Sequence, residues 1–295
     1  MRIFVTGASG LLGKRLVSLL TSNHHVVALT RNKEKLKMFE NLEKIQGDVT
    51  KQGSWQDIAA TCDAIVHLAG AGVMDKPWSP AYKDILRTSR IDSTRNCAEV
   101  GTKLLISASA TGIYGDRGAE ALIETSGRGN DFLSGLASDW ETAAKEQSNR
   151  VVIFRFGIVL DSLGGALKKM KFPFQCFVGG PIGSGQQYWP WIHYMDACNM
   201  IARAIDSDWS GAINAVAPQQ VTCNEFVKTL GKVINRPAIA PMPTWILRLV
   251  IGERSDLLIS SQRVIPQRLQ ELQYEWKFPT LYSALDYEYG SQVKT

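Results

Sequence analysis

The feature that most constrains this chain lies in its first thirteen residues. A β-branched and aromatic run, Arg2 to Thr6, leads into Gly7-Ala8-Ser9-Gly10-Leu11-Leu12-Gly13, after which Leu16, Leu19 and Leu20 continue at helical spacing. A glycine-rich turn between a strand and a helix presents backbone N–H groups at a helix N-terminus, where they can meet an anion. Glycine allows the sharp turn and leaves no Cβ to keep a pyrophosphate away from the backbone. The same glycines could simply mark a loop, but a loop has no need of strand and helix on either side. A Walker-type phosphate loop is excluded, because Lys14 is followed by Arg15 and the upstream glycine falls on Ala8.

The alternation continues along the chain. Residues 25–29, 43–46, 64–68, 103–107 and 151–156 read as further strands, and residues 80–100 and 132–147 as long helices. Strands alternating with helices predict an α/β fold, a doubly wound parallel sheet of Rossmann type covered on both faces. After about residue 160 the alternation weakens, and glycine crowds residues 179–185. The expected organisation is a dinucleotide-binding domain over 1–160, completed by parts of 190–217, and a smaller C-terminal substrate lobe over most of 161–295.

Hydrophobic residues make up 45% and charged residues 21%, the balance of a folded globular protein. The formal charge of +5 is spread without a basic run, so no nucleic-acid partner is expected. Cys62, Cys97, Cys176, Cys198 and Cys223 form no Cys-x-x-Cys pair, and His24, His25, His67 and His193 lack metal-ligand spacing. Reduced thiols, a cytoplasmic location and no metal follow as expectations, as does the absence of an export leader ahead of the first strand. The most apolar stretch, residues 245–252, is too short to span a bilayer and carries Arg248; it reads as one face of a core helix, and no membrane partner is expected. Self-association into a homodimer stays open.

The end of the second strand indicates which dinucleotide is preferred. In Leu29-Thr30-Arg31-Asn32-Lys33 there is no acid to bind a ribose 2′-hydroxyl, whereas Arg31 can pair with the 2′-phosphate of NADP (NADPH). Basic residues after a strand also occur on ordinary surfaces. NADP is the expected cofactor, with Gly7, Ser9, Gly10, Leu11, Leu12, Gly13, Thr30 and Arg31 around it.

With these motifs the chain resembles the extended short-chain dehydrogenase/reductase superfamily. The resemblance narrows with Ser89-Arg90-Ile91-Asp92-Ser93-Thr94, Ser107-Ala108-Ser109-Ala110-Thr111-Gly112-Ile113-Tyr114-Gly115, Trp191-Ile192-His193 and Ser261-Gln262-Arg263-Val264-Ile265-Pro266. Together they are similar to an atypical, epimerase-like subfamily labelled nucleoside-diphosphate-sugar epimerase or oxidoreductase. The resemblance implies that Asp48 and Val49 hold adenine and that Leu68, Ala69 and Gly70 lie along the cofactor. It also implies cofactor-facing positions at Arg90, Ser107 and Arg155. The superfamily's chemistry is hydride transfer, with a Tyr as proton carrier and a Lys four residues later. Aligned on Trp140-Glu141, those positions fall near Leu133 and Ala137, neither of which can move a proton.

Three other residues are therefore candidates for catalysis. Ser109, like Thr111, follows the fifth strand where open α/β sheets bind ligands, though a small hydroxyl there could merely fit beside the nicotinamide. Tyr114 is the phenol nearest in sequence. His193, between Trp191 and Tyr194, is a candidate proton carrier because an unperturbed imidazole titrates near neutrality, yet a histidine flanked by aromatics is more often structural. Gln186, Gln187, Tyr188 and Trp189 could line a cleft for a small-molecule substrate. Two functions stay open: an NADP-dependent oxidoreductase or epimerase-like enzyme on a small polar carbonyl or sugar-like substrate, and an NADPH-binding sensor with little catalysis.

Overall fold

The computed structural model describes residues 1–146 and 149–290. In chain order its elements are β1 (Arg2–Thr6), α1 (Leu11–Leu20), β2 (His25–Thr30), β3 (Leu42–Gln46), α2 (Trp55–Ala60), β4 (Ala64–His67), α3 (Pro80–Thr88), α4 (Ile91–Ala98), β5 (Leu104–Ala110), β6 (Ala121–Leu122), α5 (Phe132–Lys145), β7 (Arg150–Phe156), β8 (Ile158–Leu160) and α6 (Gly165–Gln175). There follow β9 (Trp191–His193), α7 (Tyr194–Ile205), β10 (Gly211–Ala215), α8 (Cys223–Val233), α9 (Thr244–Ile251), α10 (Asp256–Ile259), β11 (Arg263–Val264), α11 (Gln267–Glu271) and α12 (Leu281–Tyr289).

Seven strands form one sheet in the order β10-β7-β5-β4-β1-β2-β3. The pairs β1·β2, β1·β4, β2·β3 and β4·β5 are all parallel. The order reverses direction between β1 and β4, which in an open α/β sheet is where ligands bind, at the carboxyl ends of the strands. β1, β2 and β4 are apolar almost throughout, as expected of strands covered on both faces. Phe4, Val27, Ile65, Leu105 and Ile153 fill one core layer, with Trp55 stacked on Phe4 at 5.8 Å between ring centroids.

The chain divides into two compact units. The first comprises Met1–Ser109, Leu136–Arg155 and Ala197–Ile213, and the second Ala110–Gly135, Phe156–Asp196 and Asn214–Thr295. Residues 110–135, expected with the dinucleotide-binding half, thus fall in the second unit, because the chain leaves the sheet after β5 and returns along α5. The second unit has its own core, in which Phe174, Trp189, Trp191, Phe226, Leu230 and Leu285 are buried. Its helix α8 starts at a full capping box, the Thr222 hydroxyl accepting from the Glu225 N–H and the Glu225 carboxylate from the Thr222 N–H.

Two expectations about helices need correction. Residues 80–100 form two helices, not one, because side chains compete for the backbone at the joint. Ser93 donates to the Ser89 carbonyl at 2.7 Å, and the Ser89 hydroxyl accepts from the Ala71 N–H at 3.1 Å. The apolar stretch 245–252 is not part of a core: it falls mostly in α9, none of whose residues is buried. For the helix expected over 132–147, α5 ends at Lys145, and residue 147 lies outside the described residues.

Candidate functional site

The first unit collects its chemistry at one edge of the sheet. Thr6 at the end of β1 is level with His67 at the end of β4, so the two following turns leave the sheet side by side. Gly7 adopts φ +67°, and a Cβ placed on it would lie 2.6 Å from the Leu68 carbonyl carbon and 2.7 Å from the Ala69 nitrogen. Across the turn, a Cβ on Gly13 would lie 2.2 Å from the Gly7 carbonyl oxygen, which itself accepts the Gly10 N–H at 2.9 Å. The cradle closes only if these positions lack side chains. Helix α1 begins at Gly10 with no side-chain cap and no acid in its first turn, so its N–H groups and dipole are directed to an outside anion. A dinucleotide pyrophosphate fits this arrangement.

Beside it, β2 ends at Thr30, whose hydroxyl donates to the Asn32 carbonyl at 3.0 Å and so shapes the turn. Arg31 is exposed, and its guanidinium makes no ion pair among the described residues. The carboxylate nearest in this edge is Asp48, just past β3. One of its oxygens accepts from both the N–H and the hydroxyl of Thr50, at 3.0 and 2.8 Å. Burial pushes the Asp48 carboxyl up, but the Thr50 hydrogen bonds and the charges of Arg31 and Lys51 outweigh it and hold the group below its ordinary value. Val49 beside it is buried.

Arg90, at the joint between α3 and α4, turns inward. Its Nη2 donates to the Ala71 carbonyl at 2.9 Å, its guanidinium lies 5.2 Å from the centre of the Trp140 ring, and a Cβ on Gly70 would be 3.6 Å from it. Asp92 pairs with Arg95 instead, so Arg90 is not held by a surface ion pair with it. Burial lowers the Arg90 pKa to about 10, which leaves the cation intact at neutral pH. Behind the Leu68–Gly70 turn, His67 is fully buried; burial, with Arg90 adding to it, takes its pKa down to about 3. Its tautomer follows from its neighbours. Ser93 gives its proton to the Ser89 carbonyl, so the Nε2–H of His67 donates to Ser93 at 3.0 Å and Nδ1 accepts from Thr6 at 2.7 Å.

Helix α5 carries the positions where a Tyr and a Lys would stand. Leu133, Ala137 and Glu141 recur every four residues and so share one face. The Leu133 side chain lies 3.8 Å from where a Cβ on Gly112 would be, and Ala137 is buried. Of these three only Glu141 is ionisable, and it is engaged: Arg155 grips both its oxygens at 2.7 Å, and the Ser109 hydroxyl donates to it at 2.9 Å. Glu141, Arg155 and Ser109 are all buried. Arg155, expected to face the cofactor, is therefore held by Glu141. Ser109 keeps its place at the end of β5, but with its proton committed to a carboxylate it has only lone pairs to offer a ligand. Ser107 is buried, its hydroxyl on the Ala108 carbonyl. The sequence contains every residue of this network but no motif that marks it, because the partners are 32 and 14 residues apart.

The other two candidates for catalysis are both fully buried. Tyr114 is fully buried in the second unit and donates to the Asn214 Oδ1 at 2.6 Å, while the Asn214 amide donates to the Ile265 carbonyl. His193 is likewise fully buried. Its Nδ1 accepts the Met195 N–H at 3.2 Å, so Nε2 carries the proton and donates to Glu288 at 3.0 Å, amid the rings of Phe278 and Tyr287. Of the residues expected around a substrate cleft, Gln187 bonds the Ile182 and Leu258 carbonyls and Trp189 bonds the Leu258 carbonyl, both from buried positions. Gln186 is exposed, and Tyr188, half-buried, borders a small hollow shared with Gln219, Gln220 and Gln262.

The Glu288 contact has a pH signature. Burial pushes its carboxyl up, but hydrogen bonds from His193 and Ser162 prevail and hold it below the ordinary value of 4.5. A depressed carboxylate adds stability above the unfolded pKa and loses it as pH falls through the folded one. Urea unfolding of Glu288→Gln is thus expected to show a shallower loss of stability than the parent from pH 5 down into the acid range; parallel curves would refute this role.

Among known proteins, the chain matches the NAD dependent epimerase/dehydratase family over residues 3–155 and a domain of unknown function, DUF1731, over residues 242–288. It is 36% identical over 298 residues to an Arabidopsis thaliana protein described as "Epimerase family protein SDR39U1 homolog, chloroplastic", covering 97% of this chain and 86% of that one. It is 34% identical to the Mus musculus epimerase family protein SDR39U1, covering 97% of this chain and 98% of the relative. The crystal structure of human SDR39U1 with NADPH superposes with a TM-score of 0.87 at 31% identity, covering 98% and 99% of the two chains.

Proposed function

The chain belongs to the NAD dependent epimerase/dehydratase family, and from that premise we propose that it is an NADP(H)-dependent oxidoreductase or epimerase-like enzyme acting on a small polar carbonyl or sugar-like substrate. The observation that carries the cofactor is Arg31, an exposed guanidinium at the end of β2 with no acid in the position that would bind a 2′-hydroxyl. The NADPH held by the human relative supports the same choice. Gly7, Ser9, Gly10, Leu11, Leu12 and Gly13 would hold the pyrophosphate, Thr30 and Arg31 the 2′-phosphate, Asp48 and Val49 the adenine, and Leu68 to Gly70 the stretch between. Arg90, fixed on the Ala71 carbonyl, sets the shape of that last turn. A bound nicotinamide supplies a hydride donor or acceptor. With Leu133 and Ala137 in place of the usual pair, a residue other than the usual Tyr would handle the accompanying proton. The free thiols of the five cysteines suit the reducing cytoplasm we propose for it.

A second reading, a cofactor-binding sensor with little turnover, draws on the same face of α5 and on the buried, engaged state of Ser109, Tyr114 and His193. Stimulated NADPH oxidation across a panel of carbonyl compounds favours the enzyme. A thermal shift without turnover favours the sensor. For the cofactor itself, Arg31→Ala is expected to weaken NADPH by about ten- to a hundredfold, the size of a charge-assisted phosphate contact, and to change NADH binding little. Equal losses for both dinucleotides would overturn the assignment.

A further inference from the structure

Helix α9 is apolar at seven of its eight positions if its threonine is counted by its methyl group, yet none of them is buried. A helix apolar on all sides is normally enclosed. Trp245, Leu249 and Val250 stand out of it, between 67% and 80% exposed. They are not isolated. The segment leading into α9 runs beside residues 179–183, with the Ala240 N–H on the Gly179 carbonyl, the Met242 N–H on the Pro181 carbonyl and the Gly183 N–H on the Met242 carbonyl. That pairing brings Ile239, 79% exposed, alongside Phe177 and Val178 at the end of α6, and the Val178 N–H returns to the Pro173 carbonyl next to exposed Phe172. Exposed apolar side chains thus gather on two paired stretches of chain and on the helix that follows one of them, more than the scattered leucines of an ordinary surface.

The charge around this face is predominantly basic. Residues 162–195 and 226–252, which carry all these side chains, contain Lys168, Lys169, Lys171, Lys228, Lys232, Arg236 and Arg248, against exposed Glu225, Glu253 and Asp256 at their borders. Basic residues thus outnumber the exposed acids of this region about two to one. Asp256, from α10, pairs with Arg248 at 3.9 Å.

We propose that this face docks on an anionic phospholipid bilayer, with Trp245, Leu249, Val250, Phe172 and Phe177 entering the headgroup boundary and the lysines meeting lipid phosphates. Protruding apolar side chains ringed by basic ones are what an interfacial surface requires, since a bilayer yields to their shape and supplies the negative charge. A second copy would bring like charges together across the same face. The sequence excluded a spanning segment, and no helix among the described residues is long and apolar enough to cross a membrane; a surface association needs neither. This inference stands apart from the dinucleotide reading.

The test is co-sedimentation of the full chain with vesicles of phosphatidylcholine alone or mixed with phosphatidylglycerol. Binding is expected to the mixed vesicles, weakened by salt, and to fall about tenfold or more in Lys168→Glu/Lys169→Glu and in Trp245→Ser/Leu249→Ser, with thermal midpoints unchanged because these side chains are exposed. Failure to bind the mixed vesicles overturns the proposal, as does binding that both variants retain. A dimer in gel filtration that Trp245→Ser/Leu249→Ser makes monomeric would give the face to a second copy and overturn it equally.

Discussion

Gly7→Ala is expected to lower stability by at least about 3 kcal/mol and to abolish the thermal shift produced by NADPH. Two costs combine. An L residue at φ +67° is strained by roughly 1–2 kcal/mol. The added Cβ also meets backbone atoms, the Leu68 carbonyl carbon and the Ala69 nitrogen, which cannot rotate away as a side chain can. To make room, the turn after β1 must part from the turn after β4, and these are the two stretches that would flank one dinucleotide. Gly10→Ala, at a negative φ and with its Cβ 3.1 Å from the Gly7 carbonyl, is expected to be milder in stability. Urea unfolding with thermal shift in NADPH measures both effects, and a Gly7→Ala protein of near-parent stability that still responds to NADPH would refute this account of the cradle.

Glu141→Ala is expected to cost about 3–5 kcal/mol, because it leaves a buried guanidinium without the carboxylate that takes two of its N–H groups. The loss reflects the stranded cation and does not equal the worth of the pair. Glu141→Leu combined with Arg155→Met is therefore expected to be less destabilised than Glu141→Ala alone, since it strands no charge. A double-mutant cycle in urea reads the coupling directly. Additive effects would mean that Arg155 finds adequate partners elsewhere and that the Glu141 contact is incidental.

The cofactor half was legible because its determinants are local. A turn that forbids Cβ atoms must write glycine at fixed places, and Gly7, Gly10 and Gly13 stand within seven consecutive residues. The absence of an acid after β2 is likewise a matter of adjacent residues, as is the missing Tyr and Lys pair on α5. Roles that depend on residues distant in sequence were not legible. Nothing beside Tyr114 foretells Asn214, 100 residues on, and nothing beside His193 foretells Glu288, 95 residues on. Each looked like a titratable group open to substrate and each proved to be enclosed.

The apolar octad 244–251 shows the same limit from the other side. Its composition predicts burial, and only the tertiary structure, by half-covering Ile246, Leu247 and Ile251 and leaving Trp245, Leu249 and Val250 out, made it a surface. Sequence by itself determined the alternation of strands and helices and the glycine cradle, and it carried the expectation of a 2′-phosphate at Arg31, because each is written in neighbouring residues through backbone sterics and local charge. The tertiary structure alone decided which polar side chains are free to act and which are held, since burial and partnership are set by chain segments that meet only after folding.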